Sequence, residues 1–375
     1  MHVAQLNLVQ APAEIEPEHL PTHWHTLADV ADAVASAGVR VSVIQNSMRE
    51  AQFVRDGVDY RFLPLDGKEG GRRLAAALAG VGAELAHVHG LNFAPQALAL
   101  ARRLPSLPIL LQDHANRPPP WWRRAQWRRW YAAAAGVAFT APAQAQPFVD
   151  AKLFKPGLRV FAIPESSCRF SMGDRAQARY ATGLHGYPCV LWVGHLAAGK
   201  DPLAVLDGVA LAARRLPDLQ LWCAYGSAPL LDEVQARIAR DPWLTGRVHL
   251  LGRVPHEQVQ TLQRAADLFV SGSRAESCGY AALEAMACGA TPVLTDIPSF
   301  RALTGEGRVG RLWPCGDTGR LADALVAMAT AGPTRADVRA HFEAELSFAA
   351  VGRRWAEAYA ALLAGRPGEA AWEAA

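Results

Sequence analysis

The stretch RAESCGYAALEAMACGATP, residues 274–292, sets two glutamates, Glu276 and Glu284, eight positions apart with Gly279 between them. Upstream, DLFVSGS at 267–273 is a short apolar run ending in small residues, the pattern of a strand running into a loop. Gly279 begins an alanine-rich helix that Gly289 stops, with Pro292 just beyond. The first amides of such a helix have no intrahelical partners, and its positive dipole end favours an anion. Glu276 precedes the helix, whereas Glu284 lies about 7–8 Å along its axis at a rise of 1.5 Å per residue. A diphosphate over the helix mouth would leave one carboxylate near each end of the ligand. Carboxylates accept from paired hydroxyls, so the spacing suits a nucleotide sugar, with its sugar at one end and its ribose at the other. The plainer reading, acidic residues favouring a helix start, weakens once Lys200 is considered beside them.

Outward from this unit, strand patterns alternate with helical ones, which predicts α/β architecture with parallel sheets. In the first half the strands read as 2–9, 39–44, 84–89, 107–112 and 136–140, with helices at 24–37, 71–81, 93–104 and 121–134. GLRVFAIP at 157–164 leads into an irregular stretch at 165–173 that reads as a linker. A second alternation has strands at 189–194, 218–225, 247–252, 267–272, 291–295 and 309–313, and helices at 202–215, 229–240, 257–265, 279–288 and 318–331. A final helix at 347–364 follows the second set. The expected domains are 1–164, a Rossmann-like acceptor domain; 165–345, a Rossmann-like donor domain; and 346–375, a helix and tail packing back on the first. In open sheets of this kind a ligand sits outside the carboxyl ends of the strands, so two facing doubly wound domains predict a cleft between them.

The bulk numbers agree with a chain of two globular domains and exclude several classes. At 375 residues the chain is long for one domain, and a net charge of +3 gives no signature of a nucleic-acid binder. Only four lysines occur, Lys68, Lys152, Lys155 and Lys200, so an accidental lysine at a motif position is improbable. The six cysteines form no C-x-x-C pair and read as buried apolar residues of a reducing compartment. No signal peptide or membrane span is evident. The expected location is cytoplasmic, with contact to the inner face of the membrane as an extension of that reading.

The E-x7-E block is similar to the signature of the retaining GT-B glycosyltransferases of family 4, group 1. The likeness extends to VLWVGHLAAGKDPLAVLDGVA (190–210), LWCAYGSAPL (221–230) and RVHLLGRVPHEQVQTLQRAADLFVSGSRAES (247–277). It is weaker at HVHGL (87–91), LLQDH (110–114) and VFAIPESSCRF (160–170). The resemblance implies a GT-B fold and transfer of a sugar from a nucleoside diphosphate donor to an acceptor hydroxyl, with retention and without metal or other cofactor. It implies that Lys200 pairs with the donor diphosphate and that Gly279 and Tyr280 offer it backbone amides. Glu276 would contact the transferred sugar, Glu284 the ribose, and His114 the reacting sugar, while Gly194 lets the loop approach the phosphates. The catalytic candidates are Glu276, Lys200 and His114; the donor-binding candidates are Gly194, His195, Lys200, Arg253, Gly279, Tyr280 and Glu284. The implied acceptor is a carbohydrate, a lipid-linked molecule or a small molecule.

Two departures stand out. The position after Gly194, arginine in the family, is His195, which carries full charge only part of the time and makes no guanidinium fork. Either Lys200 and the helix end suffice, or Arg253 or Arg274 substitutes, or activity is reduced. The N-terminal loop QAPAEIEPEHLPTHWH (10–25) lacks the family's paired glycines, which leaves the acceptor open. The competing function is a non-catalytic GT-B-like protein that binds a nucleotide or a partner.

Other signals were weighed. GEGRVG (305–310) matches a dinucleotide fingerprint by letter but lacks the strand before and the helix after. His19, His23 and His25, or His87 with His89, lack a spaced carboxylate or cysteine for a metal site, and no Asp-x-Asp occurs. His89 and Asn92 fall at a strand end where an acceptor contact is expected. RPPPWWRRAQWRRWY (117–131) places Trp127, Trp130 and Tyr131 on one helix side and Arg124, Arg128 and Arg129 over the remainder. That is either a core-facing aromatic stripe or a peripheral membrane contact.

Overall fold

The computed structural model describes residues 1–365, in two compact α/β units. The tail at 366–375, expected to accompany the last helix, lies outside the described residues. One unit comprises Met1–Ser167 with the chain from Phe348 onward, and the other Cys168–Ser347.

The first unit is built on eight strands: β1 (His2–Asn7), β2 (Arg40–Asn46), β3 (Ala51–Arg55), β4 (Val58–Leu63), β5 (Leu85–His89), β6 (Ile109–Gln112), β7 (Gly136–Phe139) and β8 (Arg159–Ala162). Their order is β3-β4-β2-β1-β5-β6-β7-β8. Every residue of β1 is buried, as expected of a parallel strand covered on both faces. Alternation sends Val3, Val41, Leu85 and Leu110 to one face and Ala4, Leu6, Ala86 and Leu111 to the other. The first face packs on Val351, Trp355 and Tyr359 of the C-terminal helix Phe348–Leu363. The second packs on Leu74, Leu78 and Tyr131.

Three sequence expectations need correction here. The reading over 45–70 missed β3 and β4, which pair antiparallel with Arg55 opposite Val58. Their two-residue turn is Asp56-Gly57, with φ of 51° and 81°, the positive pair that a tight hairpin turn requires. Residues 157–164 are not only an approach to a linker: β8 lies within them and pairs with β7. The helix expected at 121–134 is a short turn, Trp121–Arg123, followed by the helix Arg124–Tyr131. Further helices went unread at Pro142–Asp150, Arg175–Thr182, Pro298–Thr304 and Arg335–His341.

The second unit carries six strands, all parallel where paired: β9 (Cys189–Gly194), β10 (Gln220–Tyr225), β11 (Val248–Gly252), β12 (Leu268–Ser271), β13 (Thr291–Thr295) and β14 (Arg311–Trp313). The order is β11-β10-β9-β12-β13-β14. Val190, Leu221, Val270 and Val293 face the helices Pro202–Ala213 and Thr318–Ala331, while Leu191, Phe269 and Leu294 face Tyr280–Ala287 and His256–Ala265. GEGRVG lies between the helix Pro298–Thr304 and β14 and opens no helix.

Of the cysteines, Cys189, Cys223, Cys278 and Cys288 are buried, Cys168 is half-buried and Cys315 is exposed, contrary to the expectation that all six are interior. Burial pushes the Cys189, Cys223 and Cys288 thiols up to about 12, so they are not nucleophiles at neutral pH.

Candidate active site

Within the second unit a cavity of about 380 Å³ opens at the carboxyl ends of β9, β10 and β12, in the size range of small-molecule sites. All the residues of this unit selected as site candidates line it: Gly194, His195, Lys200, Arg253, Glu276, Gly279, Tyr280 and Glu284. Its apolar wall includes Trp192, Phe269 and Phe300.

Lys200 ends the short turn Ala198–Lys200 that follows β9. This turn lies against the end of β12, where a β-carbon on Gly272 would come 2.9 Å from the Asp201 carbonyl oxygen and 3.1 Å from that of Lys200. Only a residue without a side chain fits there. The Arg274 amide donates to the Gly199 carbonyl at 3.0 Å. The Arg274 guanidinium donates twice to Asp201 Oδ2, at 3.0 and 2.6 Å. These contacts fasten the lysine turn to the loop that carries Glu276, and the Lys200 ammonium donates to Glu276 Oε1. Arg274 is thereby committed to Asp201 and is absent from the lining; of the two arginines considered as replacements for the missing one, only Arg253 lines the cavity.

Glu276 sits six residues beyond Val270, and the helix Tyr280–Ala287 follows with Gly279 at its cap. Glu284 is buried on that helix, and its Oε1 lies 2.8 Å from His256 Nε2. The His256 ring packs on Phe170 with centroids 5.1 Å apart. The sequence reading did not single out His256, although it lies within the 247–277 stretch of the resemblance; it opens the helix His256–Ala265.

His195 is held by a second set of contacts. The Ser227 amide donates to His195 Nδ1 at 3.1 Å, and the Leu196 amide donates to the Ser227 carbonyl at 2.9 Å. With Nδ1 accepting, the proton of the neutral ring resides on Nε2. The residue that replaces the family's arginine is therefore arranged as a neutral donor.

His114 belongs to the first unit and is not among the residues lining this cavity. It follows β6, and its Nδ1 is hydrogen-bonded to Glu165. The adjacent Asp113 is buried, and burial raises its carboxyl to about 6. His87 and His89 on β5 stack with centroids 4.4 Å apart; burial lowers His87 to about 3 and also depresses His89. Among the described residues no group of three or more His, Cys, Asp or Glu side chains is placed to hold a metal ion.

Residues 187–331 match the family model described as Glycosyl transferases group 1. The chain carries a group 1 glycosyltransferase domain. This domain contains the whole cavity described above. Over 306 residues the chain is 29% identical to a GDP-mannose:cellobiosyl-diphosphopolyprenol alpha-mannosyltransferase of Xanthomonas campestris, covering 77% of each. Over 160 residues it is 34% identical to a D-inositol 3-phosphate glycosyltransferase of Mycobacterium tuberculosis, covering 42% of this chain and 32% of that one. A sucrose-phosphate synthase from Thermosynechococcus elongatus superposes with a TM-score of 0.68 at 18% identity, over 97% of this chain and 100% of that one. At that identity the likeness is one of fold. The glycosyltransferase thus has the GT-B type of architecture, two Rossmann-like units with parallel sheets, expected from its sequence.

Proposed function

We propose that this glycosyltransferase binds a nucleoside diphosphate sugar in the cavity of its second unit and passes the sugar to an acceptor hydroxyl with retained anomeric configuration and without a metal. The observation that carries the reading is the Lys200–Glu276 pair at the mouth of the same cavity that holds Glu284. Without ligand the ammonium is neutralised by the carboxylate. A diphosphate arriving over the helix Tyr280–Ala287 draws the ammonium to itself and frees Glu276 for sugar hydroxyls.

In the reaction, the bond from the anomeric carbon to the phosphate oxygen breaks as the acceptor oxygen bonds from the same face. The hydroxyl proton passes to the departing phosphate oxygen. Negative charge grows on the diphosphate, where Lys200, the leading amides of the helix and the His195 Nε2–H meet it. Glu284 accepts from the ribose hydroxyls. Arg253 is exposed at the rim and adds positive charge there.

The proposed acceptor is lipid-linked, like the cellobiosyl-diphosphopolyprenol for which the Xanthomonas relative is named. Trp127, Trp130 and Tyr131 belong to the core of the first unit, but Trp121 and Trp122 stand 75% and 67% exposed just before them. Exposed arginines, Arg117, Arg123 and Arg129, surround the pair in sequence. Indole beside guanidinium suits the headgroup region of an anionic bilayer. No helix of the described residues is long and apolar enough to cross a membrane, so the contact proposed is peripheral.

A thermal-shift series with UDP, GDP, ADP and their common sugars, followed by donor hydrolysis, tests the reading. One nucleoside diphosphate should raise Tm and its sugar should be turned over. No shift with any of them would end the proposal.

A further inference from the structure

We propose that Glu165 is the positioning residue for His114, fixing its tautomer so that Nε2 presents an acceptor to a substrate hydroxyl in the N-terminal unit. The inference rests on the glycosyl-transfer reading for the nature of the substrate and on the following geometry for the rest.

Glu165 follows β8, beyond Ile163 and Pro164. The Ile163 amide donates to the Phe139 carbonyl at 2.9 Å, which extends the β8 pairing past its last residue. Gln112, the last residue of β6, sends its side-chain amide to the Glu165 carbonyl at 3.4 Å. On the other side, the His114 amide donates to Asn116 Oδ1 at 3.2 Å, and the Asn116 amide donates to Asp113 Oδ1 at 2.9 Å. Both backbones are therefore fixed before the side chains meet, and Glu165 Oε1 takes the Nδ1–H of His114.

A carboxylate on Nδ1 forces that nitrogen to carry the proton and leaves Nε2 as the lone pair of the neutral ring. Among the described residues Nε2 makes a contact with His89 Nδ1 at 3.4 Å, a long one that a hydroxyl can replace. The His114 side chain is 34% exposed, enough to be reached, while that of Glu165 is 13% exposed. Glu165 Oε2 is buried and has no hydrogen-bond partner among the described residues. The other titratable groups facing His114 are Asp113 beside it and His89 and His87 on β5. None of them is hydrogen-bonded to its Nδ1 among the described residues, so the tautomer falls to Glu165.

The test uses the full chain with 15N-labelled histidine. Long-range proton–nitrogen correlation reads the His114 tautomer in the wild type, Glu165→Met and Glu165→Gln. The expected result is Nδ1–H in the wild type and Nε2–H in both variants, since Met offers Nδ1 no acceptor and the Gln amide can turn its NH2 toward it. In parallel, hydrolysis of UDP-glucose and GDP-mannose with water as acceptor should lose about tenfold to a hundredfold in kcat in both variants, with donor KM unchanged, as for an orienting carboxylate. A wild-type Nε2–H spectrum, a Met variant that keeps Nδ1–H, or an unchanged kcat overturns the proposal. If the wild type turns over neither sugar, that result counts against the glycosyl-transfer reading, and the histidine spectra alone decide the pairing. Should the Met variant misfold, the near-isosteric Gln variant still decides it: the wild-type spectrum together with wild-type kcat there overturns the assignment.

Discussion

His256 Nε2 stands 2.8 Å from Oε1 of Glu284, so the carboxylate proposed for the ribose is already engaged by a partner from the helix His256–Ala265. The carboxylate must be worth more to the ligand than to this exposed ring. Replacing Glu284 with Ala should weaken binding of the cognate nucleoside diphosphate by about 10- to 100-fold, the range for a charged hydrogen bond. Titration calorimetry reads this directly. Unchanged affinity would remove the ribose contact from the proposal.

Lys200 and Glu276 answer a different question, because their partnership changes when ligand binds. Lys200→Ala and Glu276→Ala should each lower kcat by about 100-fold or more, the scale of losing one preorganised charge at a developing anion, with Tm nearly unchanged. The two side chains are partly buried, 30% and 18% exposed, so the loss of turnover should far exceed any loss of stability. Wild-type turnover in either variant refutes the assignment.

Gly272 offers a structural test of the same site. A β-carbon there would lie 2.9 Å from a backbone oxygen that cannot move without shifting the lysine turn. Gly272→Ala should cost about 1–3 kcal/mol from overpacking and reduce turnover through displacement of Lys200. Urea unfolding and a kinetic assay measure the two effects; full activity would mean the turn position does not matter.

The stacked histidines of β5 predict acid lability. Burial holds His87 near 3, below its ordinary 6.5, so between these values the unfolded chain binds the extra proton. Stability is therefore present above about pH 6.5 and is lost as pH falls toward 3. Asp113, raised to about 6, acts in the opposite direction between about 4 and 6, so the comparison must isolate His87. His87→Gln should flatten the loss between pH 7 and pH 4.5 by about 2–3 kcal/mol at 1.36 kcal/mol per pH unit. Urea unfolding at the two pH values decides it, and parallel curves for both proteins would contradict the assignment.

Membrane contact is tested at Trp121 and Trp122, not at the helix that follows. Arg128 donates through Nε to the Lys152 carbonyl at 2.7 Å, so a charge reversal there would disturb the fold as well. Trp121→Ser with Trp122→Ser should abolish co-sedimentation with anionic vesicles at low salt, with Tm preserved. A wild type that stays in the supernatant ends the idea.

The strand–loop–helix unit around Gly279 was legible in the sequence because it is local: a short apolar run, small residues, and a helix bounded by glycines. The alternation on either side gave the parallel sheets for the same reason, since burial on both faces imposes continuous apolar strands. The hairpin of β3 and β4 carried its signal in Asp56-Gly57 and was passed over because its strands are partly exposed at the sheet edge and lack an apolar run. Lys200 and the two glutamates were found because the resemblance links positions far apart in the chain.

What the sequence alone determined, then, was the pair of parallel-sheet units and the strand–loop–helix segment proposed to take a diphosphate, since apolar runs, spacing and helix ends are written into consecutive positions. What the tertiary structure decided was who holds the candidate residues. Asp201 claims Arg274, Ser227 turns His195 into a neutral donor, His256 engages Glu284, and Glu165 meets His114 from 51 positions away. Each of these pairings is a contact between side chains or amides brought together by separate strands and loops. No periodicity encodes such a contact, because its energy depends on distance and desolvation that exist only after the sheets have formed.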